Sequence, residues 1–518
     1  MRSLSKYCYD YVKKLWGEAM RKMLYFVLLL CNIYASTLHL AISAAPSRIN
    51  PLLATDSASA EIASWVFNGL FKYDKDGKIV GDLAKSWKFL NKTTLQVTLK
   101  DNVYWHDGKK FSAQDVLFTY KLAISKRIFT PYSNEFRYVK SVEVIDDTHL
   151  IIHYKKPYFK ALQVWMMGIV PKHILEKEKD VMTSSFNQHP IGTGPYKLKG
   201  FEVSKDIVLQ ANERYFEHKP YIDTITYHFL PDPATQFLML KSKKLDVGGL
   251  TPLQYERQID KDFRSFYNIF EQPSHSYTYL GFNLKLKKFQ DKRVREAINL
   301  AIDRQEMNDI LFFSHARVCT GPFMPGTFAF NENIHPPKTD LIKAKKLLQE
   351  AGYTKEHPLR FEIATNSNNT IRMYAAQIIQ YQLAKIGVEV KIKAMEWQAF
   401  LNTVVTPRKF ETILLGWALG LTPDAYSIWH SKEAKVGGFN LVGYSNKEVD
   451  RLIEKAESVI NRDKLSSIYK RIFALIVNDI PYIFLYIPNS ITVVNKSIKN
   501  VTPSIVGILH NEIDWIKP

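Results

Sequence analysis

The sequence predicts an α/β protein of more than one domain, and three observations carry that reading. Leu95, Val97 and Leu99 alternate with Gln96, Thr98 and Lys100, the period-2 pattern of a half-buried strand. Residues 359–365, 370–386 and 388–394 read as strand, helix and strand, with Gly387 just past the helix end. A βαβ unit of that kind implies parallel pairing. A chain of 518 residues also leaves room for two or three domains, each with its own core.

Taken in order, the chain opens with Arg21 and Lys22 before a seven-residue apolar run, 24–30. That run is too short to span a bilayer and reads as the core of a secretory signal. Ile33-Tyr34-Ala35 supplies a small-residue cleavage site, so the mature chain is expected to begin at Ser36, with Met20 or Met23 as alternative natural starts. Leu30 before Cys31 is a poor lipid-attachment signal, which favours a soluble product over a lipid-anchored one. Cys8 and Cys31 would leave with the signal. Cys319 then stands alone, and no intramolecular disulfide is expected.

Residues 38–43 read as a first strand. Thr55, Asp56 and Ser57 precede an apolar-periodic stretch over 58–67, where one of them suits a helix N-cap. A short turn with an apolar cluster, Leu83, Ala84 and Trp87, leads into the strand at 95–99. Asp107-Gly108 reads as a tight turn, and Ser112 as the N-cap of a helix with Val116, Leu117 and Tyr120 on one face. Leu150, Ile152 and Tyr154 alternate like a strand. In 190–198, Gly192, Gly194 and Pro195 imply a close backbone crossing. Gly194 is followed by Pro195 rather than by a lysine and a helix, which argues against a phosphate-cradling loop.

At Tyr277 the texture changes. Asp291 opens a helix with Val294, Ile298, Ala301 and Ile302 on one face, and Asp340 opens another that Gly352 ends. Residues 446–479 carry two amphipathic helices. The tail over 487–515 returns to strand-like alternation.

The stretch from Leu83 to Tyr120 closely resembles a signature of the dipeptide/oligopeptide/nickel group of extracytoplasmic solute-binding proteins, family 5. There an "LA.SW" cluster precedes a strand ending in Lys/Arg-Asp and then "W.DG..F.A.DV". The matching pieces here are Leu83 to Trp87, Lys100-Asp101, and Trp105 to Val116. The string at 190–198, the stretch from Asn212 to Phe229 and the entry at Tyr277 continue the resemblance through the mature chain. It implies a two-lobe periplasmic-binding-protein fold of the class II type, with mixed sheets, an extra subdomain in the first lobe and a hinge. The implied layout is a signal at 1–35, lobe I over 36–274 with the extra subdomain about 85–190, lobe II over 275–487, and a return to lobe I over 488–518. Two crossings would join the lobes, near 272–276 and 486–490.

The function implied by the resemblance is capture of a di- or oligopeptide in the periplasm and delivery to the permease and ATPase subunits of an ABC importer, by a monomer without a cofactor. The ligand-lining candidates it assigns are Thr55, Asp56 and Ser57, then Trp397, Trp417, Gly420, Asp424 and Trp429. Thr55 to Ser57 keep the plain N-cap alternative, and the tryptophans that of lobe packing. Well-known peptide binders carry an aspartate for the peptide amine where this chain has Gly420, and Asp424 or Asp56 is the substitute expected here. A nickel–histidine chelate is the alternative ligand, with His275 and His510 as its candidate residues because neutral imidazole suits Ni(II).

Other classes find less support. There is no nucleophile elbow, His-Glu-x-x-His pair, Walker loop or Cys-x-x-Cys, which argues against an envelope hydrolase. The formal charge is +19, and +15 without residues 1–35 (64 basic against 49 acidic). Its lysines are scattered and no arginine-rich cluster occurs, so no nucleic-acid partner is expected. Aromatic residues make up 13%, which suits either core packing or a pocket for varied apolar side chains. The export reading predicts a mature N-terminus at Ser36, checked by N-terminal sequencing of the protein from the cell envelope. A mature protein that retains 24–30, or that carries a lipid on Cys31, contradicts it.

Overall fold

The structure, a computed structural model, describes residues 36–201 and 206–518. The expected signal segment lies outside the described residues. Two groups of apolar cores divide the chain. One core draws on residues between Leu38 and Tyr227 and is joined by Val247, Val494, Ile498 and Trp515, with a smaller cluster from Phe237 to Tyr267 beside it. The other group uses residues from Tyr277 to Ile487. The molecule is a two-lobe α/β protein.

In the first lobe, strand Thr37–Ile42 pairs parallel with Thr224–Phe229. Antiparallel strands Asp206–Ala211 and Tyr196–Phe201 complete that sheet. Leu38, Leu40 and Ile42 face inward, as the alternation requires. Helix Ser57–Val66 docks by Trp65, whose ring meets Tyr196 edge-on at 5.2 Å and whose Nε1 donates to Tyr227 Oη at 2.9 Å.

The glycines of 190–198 lie against the end of this helix. Gly194 N–H donates to Val66 O at 2.8 Å, and a Cβ on Gly192 would sit 1.8 Å from that carbonyl oxygen. No side chain fits there, which is the physical content of the close crossing read from the sequence.

The signature stretch supplies two strands of a separate four-stranded antiparallel sheet, ordered Ala84–Asn91, Thr94–Leu99, His149–Tyr154 and Val139–Val144. Leu95, Val97 and Leu99 are its buried face. The segment from Ala84, expected as a turn and apolar cluster, is instead an eight-residue strand. Its outward positions are nearly all exposed, so backbone pairing to 94–99 holds it without an apolar period. Helix Ala113–Ala123 follows Ser112, whose N–H donates to Asp115 at 3.0 Å. The second oxygen of Asp115 accepts from Lys172 N–H, also at 3.0 Å, and ties the helix start to the short helix Lys172–Leu175.

The second lobe is built on the largest sheet. Its order is Val247–Gly249, Tyr482–Asn495, Ser276–Phe282, Thr412–Ala418, Arg360–Asn366 and Glu389–Met395. The last two are parallel and flank helix Thr370–Ala384, as the βαβ reading expects. Gly387, at φ +82°, lets the chain leave that helix.

Strand Tyr482–Asn495 serves both lobes. Residues from Tyr482 to Tyr486 pair with Ser276–Phe282, while Asn489 to Asn495 pair with Tyr267–Pro273. The alternation expected over 487–515 continues only to Asn495. Beyond it come turns, isolated bridges and the short helical turn Glu512–Asp514. Pro503 and Gly507 interrupt the period there, and Gly507 sits at φ +128°.

Gly192→Ala should destabilise the fold by about 1–3 kcal/mol, the usual cost of overpacking. Gly249→Ala, whose Cβ would meet nothing within 4 Å, should change little. Urea unfolding of the two variants compares them. Equal stability would contradict the close crossing.

Candidate functional site

The two lobes meet along a band of charge and aromatic rings. Lys160, from the subdomain side, is buried and faces two acids: its Nζ lies 2.9 Å from Glu135 Oε2 and 3.2 Å from Asp424 Oδ2. Glu135 belongs to the first lobe and Asp424 to the second. Ser427 Oγ bridges the acids, 2.6 Å from Asp424 Oδ2 and 3.1 Å from Glu135 Oε1, and Tyr426 N–H donates to Asp424 at 2.9 Å. Beside this set, Arg137 pairs with the buried Glu457 at 2.7 Å and lies 3.5 Å over the Tyr426 ring. Phe159 N–H donates to Glu457 O at 3.2 Å, and the Phe159 ring packs against Phe328 and Tyr469.

The electrostatics follow from burial. Desolvation pulls the Asp424 pKa upward, but Lys160 and Arg137 outweigh it and hold the carboxyl well below its usual range. Lys160 is correspondingly pushed up: burial opposes its charge, and Asp424 and Glu135 overcome that. Glu457 goes the other way, up to about 7, because Arg137 and Lys160 only partly offset its burial.

Farther along the cleft the second lobe presents stacked rings. Tyr279 lies 3.8 Å from Tyr482 in a parallel stack, and the Trp417 ring lies nearly parallel to Tyr279 at 6.3 Å. Trp417 Nε1 donates to Tyr482 Oη at 3.3 Å, and Phe439 closes on its edge at 5.5 Å. Phe439 in turn meets Tyr132 of the first lobe at 6.1 Å.

Next to this stack stands Arg372, in the first turn of helix Thr370–Ala384. Its Nη1 donates to Asn366 Oδ1 at 2.8 Å, and its Nε has no hydrogen-bond partner. Among the described residues no acid pairs with it. Burial pulls its pKa down, with only the hydroxyls of Tyr486 and Tyr279 acting the other way. Its Nη2 lies 3.1 Å from where a Cβ would stand on Gly416, at the cleft end of strand Thr412–Ala418. A desolvated guanidinium without an anion is costly, so this geometry suits a ligand that brings one.

The candidates read from the sequence fall in different places. Asp56 is the N-cap of helix Ser57–Val66, accepting from Ser59 N–H at 2.9 Å, Ser59 Oγ at 2.7 Å and Ser47 Oγ at 2.6 Å. Thr55 and Ser57 are exposed beside it. Trp397 is half-buried and packs against the cores of both lobes, with its Nε1 unpartnered. Trp429 is only 1% exposed, packed on Tyr482 and Tyr444, which makes it a core residue of the second lobe. Tyr482 thereby links Trp417 and Trp429 in one aromatic assembly. Gly420 is exposed, and a Cβ there would meet only Thr422 O, at 4.0 Å. Asp424 meets Lys160, a cation the chain itself supplies.

His275 Nε2 lies 2.9 Å from Ile505 O, and His510 Nδ1 is buried without a partner. Among the described residues no group of three His, Cys, Asp or Glu is placed to hold a metal ion.

Sequence reasoning missed Lys160, Arg137, Glu457 and Arg372. One signal for Arg372 was available: a helix start favours acids, and this one, capped by Asn369, carries an arginine instead.

Two α/β lobes joined by paired strands, with charged and aromatic side chains meeting across a cleft, define a solute-binding protein of the hinged kind. The family model of bacterial extracellular solute-binding proteins, family 5 Middle, matches residues 78–438, and the chain belongs to that family. It is 34% identical over 466 residues to the oligopeptide-binding protein AppA of Bacillus subtilis (strain 168), covering 86% of this chain and 85% of AppA. The structure of AppA from Bacillus subtilis in complex with a nonapeptide matches with a TM-score of 0.88 at 31% identity, over 93% of this chain and 99% of that one. That of NikZ from Campylobacter jejuni in complex with Ni(L-His) matches with a TM-score of 0.84 at 30% identity, over 94% of this chain and all of the other.

Lys160→Met should leave Glu135 and Asp424 buried together without their cation, a loss of about 3–5 kcal/mol for breaking a buried pair. Urea unfolding measures it. A loss below about 1 kcal/mol, the range of exposed pairs, would show that the acids are solvated.

Proposed function

We propose that the protein captures peptides between its lobes, without turnover, and delivers them from the periplasm to the permease and ATPase subunits of an ABC importer. The likeness to AppA supports the ligand class, and family membership supports the transport role. Lobe I is taken as 36–274 with 488–518, lobe II as 275–487, and the working form as a monomer.

The observation that carries this reading is Arg372, a half-buried cation beside stacked rings whose Nε is buried without a partner and which has no acid of its own among the described residues. A peptide C-terminal carboxylate supplies the anion, and Trp417 and Trp397 offer apolar surface for its side chains. Backbone hydrogen bonds would add affinity without sequence preference. The amine is a different matter. Asp424 already holds Lys160 and Asp56 already caps a helix, so neither is free to anchor an ammonium group without giving up a partner.

Calorimetric titration tests this with one peptide in free-acid and C-amidated forms. Amidation or Arg372→Met should each cost about 2–5 kcal/mol, the range for removing one side of a buried charge pair, and the two losses should not add. N-acetylation should be tolerated. Peptide binding indifferent to both amidation and Arg372→Met would overturn the carboxylate anchor.

A nickel–histidine chelate is the second reading, favoured by the unpartnered Nδ1 of His510 and by the likeness to NikZ. Binding of Ni–histidine but of no peptide, abolished in His510→Ala, would decide for it.

A further inference from the structure

A histidine at the hinge is held by carboxylates on both of its nitrogens. His315 Nδ1 lies 2.7 Å from Glu271 Oε1, and Nε2 lies 2.8 Å from Glu256 Oε1. The three residues come from three elements. Glu256 is on helix Pro252–Arg257 of the first lobe, and Glu271 is on strand Tyr267–Pro273, which leads across to the second lobe. His315 immediately precedes strand Ala316–Val318 of the second lobe.

The backbone pins His315 at the same place. Its carbonyl accepts from Asn489 N–H at 2.9 Å, in the middle of the long shared strand, and Asn489 Nδ2 donates to Glu271 Oε1 at 2.6 Å. Ala316 pairs with Pro488. Two consecutive non-glycine residues, Phe313 at φ +48° and Ser314 at φ +75°, turn the chain into this position. Each carries a conformational cost that the surrounding contacts must offset.

Only an imidazolium satisfies this arrangement, because a neutral ring has one N–H and would aim a lone pair at a carboxylate. The charged groups facing the ring are Glu256 and Glu271. Tyr255 packs edge-on at 5.1 Å and carries Arg264 5.3 Å over its ring, and Arg257 lies 5.7 Å over Phe313.

We propose that protonated His315 is a strap across the hinge, tying helix Pro252–Arg257 and the crossing strand to the second lobe, so that the hinge loosens when the ring loses a proton. Burial lowers the His315 pKa, but its bonds to Glu256 and Glu271 outweigh that and raise it above the ordinary value near 6.5. The sign follows: the strap is complete below the ordinary pKa and is lost as pH rises through the raised one.

The test is amide hydrogen exchange in residues 267–273 and 486–495 of the ligand-free mature protein from pH 5.5 to 9, corrected for intrinsic exchange rates. Protection in wild type should fall as pH rises through the raised His315 pKa. His315→Gln should show no such step. Glu256→Gln removes one anchor, keeps the ring, and should move the step to lower pH, which keeps the test open if His315→Gln does not fold. A pH-independent wild type, or the same step in His315→Gln, or no movement in Glu256→Gln, would overturn the strap. No ligand enters the experiment, so its outcome is separate from that of the peptide reading.

Discussion

Everything in the molecule depends on one shared strand. Tyr482–Asn495 runs through the junction, paired to the second lobe by its first half and to the first lobe by its second. Ile483 and Leu485 belong to the core of one lobe, while Ile491 and Val493 belong to that of the other. Because its neighbour Tyr267–Pro273 runs antiparallel beside it and the chain passes directly on to Ser276–Phe282, the two crossings are hydrogen-bonded companions. Such a joint resists shear and permits bending, the motion a hinged binding protein needs.

Closure then places charge where water is scarce. The set around Lys160 assembles only when residues from 135–160 meet those from 424–457. A buried set of this kind contributes little net stability against an apolar alternative, but it penalises every misaligned closure, since each unpaired member costs several kcal/mol. Arg372 is the exception in that balance. The lobes neutralise each other's charges around Lys160, whereas this guanidinium meets only Asn366 and tyrosine hydroxyls among the described residues, which is why the proposal gives it the ligand's anion.

Much of the fold was legible because local patterns and tertiary burial agree. Leu95, Val97 and Leu99 face a core, and Asp291 and Asp340 cap the helices they precede. The strand from Ala84 was not, because its exposed positions carry no alternation and its partner is the next segment. At the cleft, Trp417 and Asp424 were singled out only through the family resemblance, and the Lys160–Asp424 pair joins residues far apart in sequence that no local pattern connects. Asp56 shows the same ambiguity from the other side: its caps to Ser59 and its place near a cleft use one residue type, and only coordinates reveal that its oxygens are already taken.

The central claim is that Arg372, a cation at the cleft without an acid partner among the described residues, selects an anionic peptide terminus. Native mass spectrometry of the protein purified without denaturant from its own cells tests it most directly, by weighing what the cleft holds. The account predicts peptides with free C-terminal carboxylates and varied composition, absent from protein carrying Arg372→Met. A bound nickel–histidine mass, or peptides retained undiminished in that variant, would contradict it.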